Sequence, residues 1–155
     1  MNNPKTVIDF DFDPICTPYG NTEYIQLDDD WYFYENGVKV WIPKGYWSDG
    51  ASIPTVFWWL IGDPFNPRFL GPAFMHDWRY LTHTTPRSVA DEGLYQLCKK
   101  KTVPEWKCKC IWAAVRTGGC FAWSNNQDDV LELQKVKNEI MLRPDYDKFD
   151  LRGDY

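Results

Sequence analysis

Four side chains that could do acid–base or metal chemistry occur within one apolar stretch of the chain, residues 47–91. His76 and Asp77 are adjacent, Asp91 follows fourteen positions after Asp77, and Asp49 precedes them in a glycine-containing turn. Charged groups among aromatic and aliphatic neighbours are costly to bury without partners. We therefore expect these side chains to pair with one another, to bind backbone donors or to hold a metal ion.

The spacing of these residues suggests separate roles. On a helix, His76 and Asp77 point about 100° apart, so they do not serve one ligand in the same way. A second helix over residues 89–100 would return antiparallel after a short loop and place Asp91 against the His76 ring. A carboxylate there would fix the imidazole tautomer and raise its basicity. Asp77 would then face the turn that carries Asp49.

Several motifs in this stretch resemble a phage- and prophage-associated domain of unknown function. Its hallmarks are DGAS-x-P, HD-x-x-Y and AD, which appear here as DGASIP at 49–54, HDWRY at 76–80 and AD at 90–91. The resemblance covers roughly residues 40–124, where Arg116 and a Gly-Gly pair lie downstream. It implies a phage origin, and the family name carries no settled activity.

The order HD-x-x-Y and then AD is also similar to that of calcium-dependent secreted phospholipases of the A-two type. This similarity implies that His76 is a catalytic base, that Asp77 and the loop at Asp49 hold calcium, and that Asp91 orients the histidine. Tyr80 would add a supporting hydrogen bond. The glycine-rich calcium loop of those enzymes has no counterpart in this chain.

A purely structural interpretation accounts for the same residues. Asp49 or Ser52 would cap a helix that begins at Pro54. The histidine and its carboxylates would form a buried polar network that fixes the helix register. The candidate counter-ions of this network are Arg79, Arg87 and Arg116. Phosphohydrolases that carry an HD pair need further histidines, and the only other histidine is His83, which argues against that class.

Composition excludes some partners. The 17 basic and 22 acidic residues give a formal charge of −5, which argues against a protein that binds nucleic acid through its phosphate backbone. No apolar run approaches the roughly 20 residues of a membrane span, and the N-terminus does not resemble a signal peptide. We therefore expect synthesis in a cytoplasm, which the resemblance makes that of a phage host.

The five cysteines do not form a convincing metal motif. Cys108 and Cys110 lie in a predicted helix, where residues two apart point about 200° apart and cannot chelate one zinc ion. We interpret the cysteines as buried or interfacial thiols. Disulfides between subunits remain an alternative if the protein enters an extracellular particle.

The chain order predicts strands first and helices afterwards. Runs of β-branched and aromatic residues at 23–27, 31–34 and 38–42 predict strands, and Asn36-Gly37 predicts a hairpin turn. Helical patterns follow at 54–61, 68–81, 89–100, 104–116 and 128–142. The expected fold is α+β, with a small antiparallel sheet followed by a bundle of four to five helices. We expect an extended N-terminal arm at 1–20, one domain at 21–142 and a loose tail at 143–155.

Two function classes remain open. The first is a structural or assembly component of a virion, such as a tail, neck or baseplate protein, which would form a multimer with other phage proteins. The aromatic content and the arm suit such a role. The second is a small metal-dependent hydrolase that acts on a lipid or cell-envelope substrate, with calcium as the metal.

Overall fold

The computed structural model describes residues 5–18, 20, 24–48, 62, 66–123 and 127–151. Within them, six short strands precede four helices, which confirms the α+β class and the order of strands before helices. The strands are β1 (Ile8–Asp9), β2 (Cys16–Pro18), β3 (Ile25–Leu27), β4 (Trp31–Glu35), β5 (Val38–Ile42) and β6 (Trp47–Ser48). The helices are α1 (Pro67–Thr82), α2 (Arg87–Lys100), α3 (Glu105–Trp123) and α4 (Gln127–Met141), and a 3-10 turn covers Tyr146–Lys148.

The strands form two small antiparallel sheets where we expected one. One sheet has the order β1-β4-β5 and the other β2-β3-β6. The predicted hairpin joins β4 to β5, with Glu35 opposite Val38. Asn36 and Gly37 have φ values of 50° and 80°, the left-handed conformation that these two residue types tolerate best in a tight turn.

The predicted N-terminal arm finds its partners within this chain. β1 pairs with β4, and β2 pairs with β3. Phe10 is buried and packs edge-on against Trp31, with ring centroids 5.7 Å apart. Gln96 on α2 accepts from the backbone N–H of Ile8 at 3.0 Å. Residues 5–18 of the predicted arm are therefore held by contacts within this chain.

The core lies between the sheets and helices α1 and α2. Trp31 and Phe33 from β4 belong to the same hydrophobic cluster as Phe74 and Trp78 from α1, and all four are fully buried. Helix α1 begins with Pro67. Proline has no backbone N–H, so it leaves no unpaired donor in the first turn of the helix. The side chain of Asn66 caps it by accepting from the N–H of Arg68 at 3.0 Å. This packing fixes α1, which carries the His-Asp pair, against the sheets.

Helix α3 continues beyond the point at which we predicted its end. We predicted a helical pattern at 104–116, but the helix runs on through Gly118 and Gly119 to Trp123. A Cβ atom at position 119 would lie 2.5 Å from the hydroxyl of Tyr80. The glycine therefore permits close packing between α3 and α1 and does not end the helix.

The segment after α4 is also different from the prediction of a loose tail. Arg143 donates to Asp30 at 2.7 Å, and the ammonium group of Lys148 donates to the same carboxylate at 2.6 Å. Phe149 is buried. Residues 143–151 therefore pack on the domain through an ion-paired anchor. The helix predicted at 54–61 lies outside the described residues.

Candidate functional site

His76 and Asp91 meet at the contact between α1 and α2. The Nε2 atom of His76 lies 2.9 Å from Oδ1 of Asp91, and both residues are buried. Helix α2 follows α1 after a short connection at residues 83–86 and packs along it, which brings the start of α2 beside the middle of α1. The structure thus places these two side chains in the contact that the sequence predicted.

Asp91 is held by four groups. Tyr80 donates to Oδ1 at 2.7 Å, and Arg116 donates to Oδ2 at 3.0 Å. Nε of Arg87 lies 3.9 Å from the same Oδ2. Burial alone would raise the pKa of Asp91, but the hydrogen bonds from His76, Tyr80 and Arg116 hold its pKa below the usual value. The carboxylate is therefore ionised at neutral pH.

The other nitrogen of the His76 ring lacks a hydrogen bond in the part of the chain that the structure describes. Nδ1 is buried and makes no hydrogen bond among the described residues, and the nearest carboxylate oxygen, Oδ1 of Asp77, is 3.8 Å away. Because the ionised Asp91 only accepts hydrogen bonds, Nε2 must carry a proton. In the neutral ring, Nδ1 then carries the free lone pair.

The environment of His76 also favours its proton affinity. Burial lowers the pKa of His76, but the carboxylates of Asp77 and Asp91 outweigh this effect and raise it above the usual value. The ring also packs on Tyr80, with centroids 4.2 Å apart. Burial and the bond to Asp91 both raise the pKa of Tyr80, so its hydroxyl stays protonated and remains a donor.

Asp77 connects the site to the segment that follows β6. Its side chain is 13% exposed, and it accepts a hydrogen bond from the hydroxyl of Ser48, the last residue of β6. The predicted partners Asp49 and Ser52 lie in residues 49–61, outside the described part of the chain. Ser48 was not among the predicted site residues, although it directly precedes the DGASIP motif.

The arginines divide between two places. Arg87 and Arg116 lie at Asp91, as the network interpretation anticipated. Arg79, the third candidate counter-ion, instead pairs with Glu35 on β4 and lies over the ring of Phe33 at 5.2 Å. Its role is to join α1 to the sheet.

The described residues do not by themselves form a metal site. Among them, no group of three or more histidine, cysteine, aspartate or glutamate side chains is placed to hold an ion. Asp77 is a single carboxylate that already accepts from Ser48. All five cysteines are free, with Cys98 and Cys108 buried. A calcium or zinc ion therefore has no ligand set within the described ranges.

Gly119 and Trp123 complete the surroundings of Tyr80. The Trp123 ring packs edge-on against Tyr80 with centroids 5.0 Å apart, and it stacks on His83 at 4.1 Å. Tyr80 is thus enclosed by the His76 ring, Trp123 and the bare backbone of Gly119. No direct signal in the sequence points to the role of Gly119, because a glycine pair is equally typical of a helix end.

A separate cavity of about 500 Å³ lies between β6 and α4. Its lining includes Tyr46, Trp47, Val136 and Ile140. Successive strand residues point to opposite faces, so Trp47 faces this cavity while Ser48 reaches Asp77. The cavity is therefore distinct from the His76 site.

Comparison with known proteins places this site within a family. Residues 25–115 match the family described as "Protein of unknown function (DUF1353)". The chain belongs to this family. The DUF1353 match spans His76, Tyr80 and Asp91, whereas Arg116 and Gly119 lie just beyond it.

One curated relative is similar to most of this DUF1353 protein. It is described as "Uncharacterized protein y4jT" from Sinorhizobium fredii (strain NBRC 101917 / NGR234) and is 37% identical over 122 residues. The match covers 77% of this chain but only 33% of the relative, so this chain corresponds to about a third of that protein. No solved structure matches the chain significantly. Among the described helices of this DUF1353 chain, none has the length and apolar character needed to cross a membrane.

Proposed function

We propose that this protein is a hydrolase in which His76 is the general base. The observation that carries the proposal is the asymmetry of the His76 ring. Nε2 is fixed by the ionised Asp91, whereas Nδ1 is buried and lacks a hydrogen-bond partner among the described residues. The bond from Nε2 to Asp91 also suits a network that only fixes the helix register, so the proposal rests on Nδ1, a buried polar atom whose lack of a partner needs an explanation.

The proposed mechanism gives each nitrogen of the His76 ring its own role. Nδ1 would remove a proton from a water molecule while the water oxygen attacks the carbonyl carbon of an ester or amide. The resulting imidazolium would be stabilised by the carboxylate of Asp91, 2.9 Å from Nε2. The proton on Nδ1 would then pass to the leaving group as its bond to the carbonyl carbon breaks, which restores the neutral ring.

Asp91 would act as the positioning residue of this site. The donors Tyr80 and Arg116 occupy its two oxygens, so the carboxylate stays ionised and cannot rotate freely. A carboxylate held in this way fixes the tautomer that leaves the lone pair on Nδ1. We assign no step to a metal ion, and the substrate class that we propose is a lipid or cell-envelope ester or amide.

Hydrolysis assays on the purified chain test this proposal. The substrates would be phospholipid vesicles, small chromogenic esters and peptidoglycan fragments, each with and without a chelator. We expect measurable turnover that falls at least about 100-fold in His76→Gln, in line with the usual contribution of a general base. His83→Asn is the matched control, because asparagine tolerates the left-handed backbone at position 83, where φ is 50°.

Two results would contradict the hydrolase proposal. If His76→Gln hydrolyses every active substrate as fast as the wild type, His76 is not the base. If the wild type hydrolyses none of these substrates while it is folded by circular dichroism, the class of substrate proposed here is wrong.

We propose an assembly role as the second candidate function. The observation that favours it is the outer surface of α4 and the residue after it, where Leu131, Met141 and Leu142 are 67%, 68% and 88% exposed. Exposed apolar side chains mark contacts with other proteins where they form one contiguous patch, and this proposal assumes that these residues belong to such a patch. The phage origin and the place in a virion belong to this second proposal. Sedimentation of the wild type and of a Leu131→Lys variant tests it, since an assembling surface predicts a multimer that the variant dissociates.

A further inference from the structure

Two arginines share one carboxylate on the side of the site opposite the free His76 nitrogen. Arg116 donates to Oδ2 of Asp91 at 3.0 Å, and Nε of Arg87 lies 3.9 Å from the same oxygen. Arg87 also donates to the backbone carbonyl of Arg116 at 3.2 Å. The two guanidinium groups are therefore direct neighbours, and within the described ranges Asp91 is the only acidic side chain that pairs with either. The pair carries one positive charge more than Asp91 neutralises.

The hydrogen-bond donors of this pair are also in excess. Each guanidinium group has five N–H donors. Nη1 of Arg87 is buried and has no partner in the part of the chain that the structure describes. Arg116 uses one nitrogen on Asp91. A buried cationic donor without a partner is unfavourable, so the arrangement lacks an acceptor.

The local backbone adds to the positive potential. Arg87 is the first residue of α2, a helix of 14 residues that has no side-chain cap and no acidic residue in its first turn. The positive end of the helix dipole therefore lies beside the two guanidinium groups without a compensating carboxylate at the helix start. The side chain of Arg116 is 34% exposed and that of Arg87 is 20% exposed, so part of each side chain is in contact with solvent.

We propose that Arg87 and Arg116 form a binding site for a phosphate group. A phosphate supplies several acceptor oxygens and a negative charge, and the planar guanidinium fork matches this geometry better than an ammonium group does. The ligand would take the excess charge of the pair. Nη1 of Arg87 is buried in this structure, so the Arg87 side chain would have to turn toward the exposed edge of Arg116 to donate to the ligand. This site is separate from Nδ1 of His76 and does not depend on the hydrolase proposal.

Nuclear magnetic resonance of the wild-type chain tests this site directly. The probes are inorganic phosphate and dimethyl phosphate, added at constant ionic strength against sodium chloride, and the readout is the Nε–H resonances of the arginines. We expect saturable shifts at Arg87 and Arg116 and none at Arg68, an exposed arginine on α1. A response to phosphate alone identifies a free phosphate or monoester as the ligand, and a response to both probes extends the site to phosphodiesters.

The phosphate affinities of two arginine variants provide a second test of the site. Arg87→Gln removes the unpaired donor while Arg116 continues to hold Asp91, and we expect phosphate affinity to fall about tenfold or more, the effect of one lost charge-assisted hydrogen bond. Arg68→Gln makes the same change of charge elsewhere and should bind phosphate as the wild type does. The proposal is overturned if neither probe shifts the two arginines beyond the chloride control, or if Arg87→Gln and Arg68→Gln bind phosphate equally well.

Discussion

Gly119 offers the sharpest test of how the site is held together, because alanine there would meet the tyrosine that supports Asp91. The added Cβ would lie 2.5 Å from the hydroxyl oxygen of Tyr80 and 3.4 Å from its Cζ. The Tyr80 ring cannot withdraw easily, since it packs against His76 on one side and Trp123 on another. We therefore expect Gly119→Ala to displace the hydroxyl from Asp91.

Two opposing effects set the change in unfolding free energy that we expect for Gly119→Ala. Replacing glycine by alanine inside a helix stabilises it by roughly 0.5–1 kcal/mol. Losing a hydrogen bond to a charged group costs about 1.5–3 kcal/mol. Gly118 provides the matched control, because a Cβ there meets nothing within 4 Å. Gly118→Ala should therefore stabilise the protein, and Gly119→Ala should lie about 1.5–3 kcal/mol below it in unfolding free energy.

Urea unfolding of both variants, in two backgrounds, measures this difference. In Tyr80→Phe the hydroxyl is gone and the closest remaining ring atom, Cζ, is 3.4 Å from the added Cβ. Gly119→Ala should then be nearly as favourable as Gly118→Ala. If the two alanine variants are equally stable in the wild-type background, the close contact between α3 and Tyr80 does not constrain the site and the reasoning is refuted.

Three further predictions concern the ionised groups. Asp91→Asn should lower the pKa of His76, because it removes one of the two carboxylates that raise it; proton resonances of the two histidines report this, and an unchanged His76 titration would contradict it. The lowered pKa of Asp91 means that its charge contributes stability above its ordinary pKa of 3.8, lost as pH falls below that value. The gap in unfolding free energy between wild type and Asp91→Asn should therefore narrow below about pH 4, and a gap that does not change with pH would argue against an ion pair. Asp30→Asn should destabilise the protein by about 1.5–3 kcal/mol and speed hydrogen exchange in residues 143–151, whereas unaltered exchange there would show that Asp30 does not anchor the segment.

Local signals in the sequence were sufficient for most of the described elements. Asn36-Gly37 predicted the hairpin because only a few residue types accept positive φ in a tight turn. The helix that carries His76 was predicted from its apolar spacing and begins at Pro67, one residue from the expected start. The hairpin turn and the start of α1 depend on residues that are neighbours in the chain, so the local sequence pattern is enough to predict them.

Features that depend on distant residues could not be predicted in this way. Gly119 lies against Tyr80, 39 positions earlier in the chain, so this glycine belongs to a contact between helices and does not end α3. The order of the segment after α4 depends on Asp30, more than 110 positions before Arg143. The sequence of a charged C-terminal segment does not reveal which distant residue its charges pair with, so its order could not be predicted.

The candidate site falls between these two cases. The contact of His76 with Asp91 could be predicted, because a short connection between two helices brings their adjoining ends together. The counter-ions were predicted as a set of three candidates, Arg79, Arg87 and Arg116, of which only the last two lie at Asp91. That selection depends on which face of each helix packs inward.

The most direct test of the central claim is the protonation state of the two His76 ring nitrogens. Nitrogen-15 resonance of histidine-labelled protein, recorded at a pH above the titration of His76, distinguishes a protonated from an unprotonated ring nitrogen. We predict a proton on Nε2, donated to Asp91, and a bare lone pair on Nδ1. A proton on Nδ1 in the neutral ring would contradict the claim, because the nitrogen assigned as the base would then have no lone pair with which to accept a proton from water.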